Sequence, residues 1–271
     1  MRLGASVSAL GMNVGKGLVA LLCLGVVVLP TGVATPDWLS VAVLALSGLL
    51  GICVGDTLYF LTLQRLGPRL TVLLTTLVPV VTVVAAVWVL GERVEVLAWL
   101  GLALTLFGVA YVLWERSPQR QQPHRFVTGL AWGLAFVLVE AIAIVLTKVG
   151  VAEMPALDAT LIRQAAALMG LFVWLAMTRS FVSSMAPLTD RRLFMILVVG
   201  AVVGTFLGTW LSVVGLKYTY ASVAATLNAT SPLFILPLVV LVLKETVSLR
   251  AVSGAVVAVV GIAIYFVTLS G

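Results

Sequence analysis

Displaced by about 153 residues, without a gap, the chain falls back on itself at its helix-shaping positions. Gly51, Gly55, Pro79, Glu92, Gly101 and Gly108 land on Gly204, Gly208, Pro232, Glu245, Gly254 and Gly261. Leu58, Leu63, Leu74, Leu90 and Val94 land on identical residues. Glycine and proline decide where helices bend and pack, so matches at those positions mark an internal repeat. Matched segments sit five apolar runs apart. Five is odd, so the halves are expected to cross a bilayer in opposite directions. Inverted repeats of this kind belong to secondary transporters, whose sites lie between the halves near the midplane.

The bilayer itself follows from composition. Of 271 residues, 62% are hydrophobic and only 10% charged, and the mean hydropathy is +1.22. A soluble domain could not hide that much apolar surface. Runs of about 20 apolar residues match a hydrocarbon core roughly 30 Å thick. Inside it every backbone polar group must be bonded within its own segment, so the runs should be helices. The pattern predicts nine spans: 5–29, 38–62, 69–90, 95–114, 126–148, 157–178, 192–216, 220–243 and 248–269.

The expected fold is an all-α polytopic membrane protein built from inverted five-helix repeats. Residues 1–115 form the first repeat, 116–125 a basic linker, and 126–271 the second repeat. The first repeat has only four spans, and the partner of 126–148 would lie before Met1. A start taken too late, or a trimmed chain, is expected ahead of a genuine nine-helix protein. Nothing at the start resembles a cleavable signal. The net charge of +6 reads as topological Lys and Arg beside the membrane. One side collects Arg2, Arg65, Arg69, Arg116, Arg120, Arg125, Arg179, Arg191, Arg192, Lys244 and Arg250. The other has only Arg93, Lys148 and Lys217. Positive-inside places the first group in the cytoplasm and the C-terminus outside. Cys23 and Cys53 both fall inside spans and read as small buried hydrophobes rather than a disulfide framework.

At Gly55-Asp56-Thr57-Leu58-Tyr59-Phe60, then Leu66-Gly67-Pro68-Arg69, Pro79 and Leu90-Gly91-Glu92-Arg93, the chain resembles the EamA-type transporters of the drug/metabolite transporter superfamily. The second copy carries Gly204, Gly208, Pro232, Lys244-Glu245, Gly254 and Gly261. The resemblance covers essentially the whole chain. It implies ten helices in two five-helix repeats and export or exchange of small metabolites. Two features depart from it. The opening helix is absent, and many relatives place both termini in the cytoplasm, against the loop charges here. Orientation therefore stays open.

Candidate residues divide into shapers of helices and carriers of charge. Gly51/Gly55 and Gly204/Gly208 are GxxxG pairs that would let backbones approach closely. Pro79 and Pro232 fall mid-span, where proline removes a backbone hydrogen bond and kinks a helix. The residues four earlier, Thr75 and Asn228, are both polar, so Thr75, Thr76, Asn228 and Thr230 are expected to line a central path or to satisfy neighbouring backbone. Asp56 and Glu140 are carboxylates deep in apolar runs, where charge is costly and faces the bundle interior. Either could bind a substrate amine or carry a proton; the structural alternatives are an ion pair of Asp56 with Lys16 and of Glu140 with Arg163. Lys16 and Arg163, on matched helices, could hold a substrate carboxylate, neutralise those acids, or snorkel. Tyr59, Trp210, Tyr218 and Tyr220 are candidate substrate contacts. Glu92 and Glu245 end their helices beside the start of the next, where a carboxylate suits the positive end of the helix dipole.

Among function classes, a secondary transporter of a small polar or amphipathic metabolite leads, an amino acid among the candidates and export the expected direction. The expected location is the plasma (inner) membrane, multi-pass, with membrane lipids and a small-molecule substrate as partners. A homodimer stays open. No GxxxxGK[ST] motif is present, so coupling to protons or exchange fits better than ATP. A flippase for a lipid-linked carrier is the alternative. An intramembrane enzyme is disfavoured: the sole histidine, His124, lies in the linker. No metal, cofactor or nucleic-acid motif emerges.

Overall fold

The computed structural model describes residues 8–30, 32, 37–93, 96–115, 123–179, 190–228, 253–254, 256–257, 259–261 and 263–264. All regular structure among them is helical. In order come α1 (Ala9–Val28), α2 (Trp38–Gly48), a π-helical stretch (Leu49–Gly55), α3 (Asp56–Thr75), α4 (Val78–Leu90), α5 (Val96–Glu115), α6 (Pro123–Gly150), α7 (Ala156–Thr178), α8 (Arg191–Gly200), a second π stretch (Ala201–Leu207), α9 (Gly208–Tyr218) and α10 (Ala221–Asn228). Six described helices are long and apolar enough to span a membrane: Ala9–Val28, Trp38–Pro68, Leu70–Leu90, His124–Gly150, Ala156–Thr178 and Arg191–Tyr218. They fall on six of the nine runs predicted above. The run at 95–114 is helical as α5, and that at 220–243 begins as α10. The rest of that run, and Thr230, Pro232, Lys244 and Glu245 with it, lies outside the described residues.

Helix boundaries follow local chemistry. Ser8 opens α1 by accepting the Gly11 N–H at 3.0 Å, and Asp190 opens α8 by accepting from Arg192 and Leu193, each satisfying donors that a helix start leaves unpaired. Gly67 adopts φ 77° and ψ 170° and breaks α3 before Pro68. That region is open essentially to glycine alone. Gly91, at φ 66°, ends α4. Pro79 was expected to kink a continuous helix. Instead the helix stops at Thr75, a tight turn carries the Thr76 and Leu77 N–H groups back to Leu73 and Leu74, and a new helix starts with Pro79 in its first turn. There the missing N–H costs nothing.

The chain forms two compact units, residues 1–60 with 142–219, and 61–141 with 220–271. Each unit draws helices from both halves of the repeat. In the first, α1 packs on α7, α8 and the second π stretch, while α7 packs on α2, the first π stretch and α9. Val14, Ile52, Cys53, Ala167, Leu168, Leu171 and Leu175 make one buried cluster; Leu44, Val151, Met154, Ala156, Ala159 and Val213 make another. A Cβ at Gly48 would overlap the Arg163 backbone, and Gly17, Gly150 and Gly170 leave room for the side chains of Gln164, Leu44 and Leu49. Gly204 and Gly208 make no such approach among the described residues. Both are exposed; a Cβ at Gly204 would meet nothing within 4 Å, and one at Gly208 only its own helix. In the second unit, α4 packs on α5 and α10, and Gly261 lies against Gly101 and Thr105.

Candidate functional site

The two π stretches stand within a residue of equivalent places in the repeat, and Gly51, Gly55 and Gly204 fall inside them. In a π turn the N–H reaches back five residues, which widens the helix and leaves carbonyls without their usual partners; such turns gather at functional sites. The Asp56 N–H bonds Gly51 O in this way. The exposed carbonyls are answered by α1. Asn13, with no exposed surface, donates from Nδ2 to Ile52 O at 2.7 Å and to Thr57 Oγ1 at 3.0 Å, with Cys53 O at 3.4 Å. Thr57 Oγ1 donates to Cys53 O at 2.6 Å.

Three residues on from Asn13, and so on the same face of α1, Lys16 forms an ion pair with Asp56. Its ammonium also stands 5.4 Å from the centroid of the Phe60 ring. Phe60 is one turn beyond Asp56, and Tyr59 packs edge-on against it with centroids 5.7 Å apart. The Lys16 and Asp56 side chains are 17% and 28% exposed, so the pair is neither sealed in the core nor fully on the surface. Deeper in the same unit, Arg163 is buried and donates from Nε to Ser47 Oγ at 3.0 Å. Buried Gln164 reaches Gly17 O at 3.4 Å.

The sequence profile of the EamA-like transporter family matches residues 1–114 and 127–267. The chain belongs to that family. Membership makes it a multi-pass membrane transporter. No curated protein matches this EamA-like transporter in sequence. Twenty-six solved chains match it in fold. One of them, titled only as a crystal structure of a protein, is 17% identical with a TM-score of 0.69, covering 98% of this chain and 89% of that one. At that identity the likeness concerns the fold alone.

The remaining candidates of this EamA-like transporter are divided between the two units. Asp56, Lys16 and Tyr59 come together in the first unit. Of the readings of Lys16, the ion pair with Asp56 is the one the geometry displays. Arg163 does not snorkel; it is buried against Ser47. Trp210 is half-buried and stacks on Phe206 at 6.2 Å. Tyr218 and Tyr220 are largely exposed. In the second unit, Glu140 is half-buried on α6. Thr75 and Thr76 send their hydroxyls to Val72 O and Leu73 O, each at 2.7 Å, which is the backbone-satisfying alternative. Asn228 is exposed at the end of α10. Glu92 does sit at a helix start, but not that of the helix that follows it. It accepts from Ala221 N at 2.8 Å, Ser222 N at 3.3 Å and Ser222 Oγ at 2.6 Å, capping α10 across 129 positions of sequence. Sequence reasoning missed Asn13, Phe60, Ser47 and Gln164. A lone asparagine in an apolar, glycine-rich helix was the available signal for the first.

Proposed function

We propose that this EamA-like protein is a secondary transporter of the plasma membrane that moves a small polar or amphipathic metabolite by alternating access between its two repeats. Asp56 is the carboxylate at which substrate or proton is exchanged. The observation that carries the reading is the Lys16–Asp56 pair at the end of a π-helical stretch. A carboxylate in an apolar span is retained at a cost. Here it is partnered, partly accessible, and placed where the backbone departs from regular helix. π stretches at equivalent places in matched helices supply a natural site for bending, because their bonding can slip between four- and five-residue spacing.

The test is flux in sealed proteoliposomes under an imposed proton gradient, screening amino acids and related metabolites. Asp56→Asn is expected to insert normally and to lower flux about thirtyfold or more, the factor that ~2 kcal/mol represents, because the exchange site loses its charge. Glu140→Gln is measured beside it. Wild-type flux in Asp56→Asn would overturn the assignment of Asp56.

A further inference from the structure

The surroundings of the Lys16 ammonium are those that would recognise any organic ammonium ion. One side is a carboxylate, Asp56. Another is the Phe60 ring at 5.4 Å, steadied by the edge of Tyr59. Cations over aromatic faces gain most where water is scarce, and a carboxylate beside the ring adds charge pairing to that contact. The spacing Asp56, Tyr59, Phe60 puts all three on adjoining turns of one helix, so the box is carried by α3 alone. Lys16 enters from a different helix, α1, on a four-carbon stem. Its head group is chemically a primary alkylammonium, and a tethered lysine head is mobile and exchangeable in a way that a bidentate arginine is not. α1 itself does not depend on the pair for its docking, because Asn13 anchors it independently to Ile52 and Thr57.

We propose that Asp56, Phe60 and Tyr59 form a binding box for the ammonium group of the substrate, and that Lys16 is its built-in occupant, displaced when a cationic substrate binds. The inference rests on the reading of Asp56 as the exchange site and adds the substrate class: primary to quaternary alkylammonium compounds, zwitterionic ones included. Lys16 thereby prevents an empty, uncompensated carboxylate in the bilayer and sets a threshold that weak cations do not pass. Partial exposure of both partners leaves a way in for the competitor.

The experiment reads occupancy rather than transport. The full chain in lipid nanodiscs is treated with a hydrophobic carbodiimide, which activates Asp56 and lets the neighbouring Lys16 amine close an amide with loss of water; the cross-linked peptides are quantified by mass spectrometry. Butyltrimethylammonium, which cannot couple, is added as competitor, with butanol as its uncharged control. The expected result is a Lys16–Asp56 cross-link that falls saturably with butyltrimethylammonium and not with butanol. In Lys16→Met, added n-butylamine should couple to Asp56, and the quaternary ion should suppress that coupling. Phe60→Leu in the Lys16→Met background should raise the half-suppressing concentration about tenfold, between the factors for an exposed and a fully desolvated cation–π contact. A cross-link indifferent to the quaternary ion, together with unsuppressed coupling in Lys16→Met, would overturn the box while leaving the Asp56 assignment to the flux test. Absence of any cross-link would remove the ion pair and both readings with it.

Discussion

Asn13 does at the residue scale what water does for an irregular backbone outside a membrane. A π turn leaves carbonyl groups unpaired, and in hydrocarbon each such group costs several kcal/mol unless something answers it. The Asn13 amide supplies the donor at Ile52 O, at 2.7 Å, from a side chain with no exposed surface. Thr57 covers Cys53 O from within its own helix, so the two side chains share the task. Asn13→Leu keeps the number and branching of side-chain heavy atoms and removes the amide. It is expected to destabilise the protein by about 1–3 kcal/mol, the cost of a buried acceptor left unmade. Thr57→Val should cost less, because Asn13 still lies within reach of Cys53 O. Thermal unfolding of the purified variants in one detergent checks the order, and an Asn13→Leu protein as stable as wild type would mean that the π stretch does not need its bracket.

Whole elements show where sequence reasoning succeeds and where it stops. Six of the spans were legible because apolar run length is set by bilayer thickness, but the second runs to Pro68 rather than ending at 62, and stops where Gly67 takes a backbone that few other residues tolerate. The π stretches were not legible: glycines permit them, but no periodicity marks a single extra residue per turn. Asp56 stood out as a lone carboxylate in an apolar run, whereas its partner Lys16, 40 positions away, could be offered only as one alternative. Glu92 illustrates the same limit. Its role as a cap was readable from its place beside a helix end, yet the helix it caps is α10, which local reading cannot reach. The carboxylate receives two N–H groups and a hydroxyl there. Glu92→Ala is expected to cost about 2 kcal/mol, within the range for charged hydrogen bonds and N-terminal caps, and Glu92→Gln about half of that, since the amide keeps one acceptor. Unfolding measurements in micelles decide it; equal loss in both variants would point to packing rather than capping.

For the whole molecule the repeat predicts two sequential halves, and the profile of the family also matches in two stretches, 1–114 and 127–267. The compact units do not follow that division, because a repeat is a property of the line of sequence and packing is not. In the first unit the buried cluster joins Val14, Ile52 and Cys53 from the first half to Ala167, Leu168, Leu171 and Leu175 from the second. Polar groups cross in the same direction: Arg163 donates to Ser47, and Gln164 reaches Gly17. Lipid replaces lost apolar contacts at little cost, but it cannot replace a partner for a buried arginine. Each half made alone would lose these contacts across the halves. Chains cut between residues 115 and 123 test this. Either fragment expressed singly is expected to accumulate poorly in the membrane, and both together to recover a stable complex that copurifies. Fragments that accumulate singly as well as the intact chain would show that each half satisfies its own polar groups, and that the mixed units are not what holds the protein together.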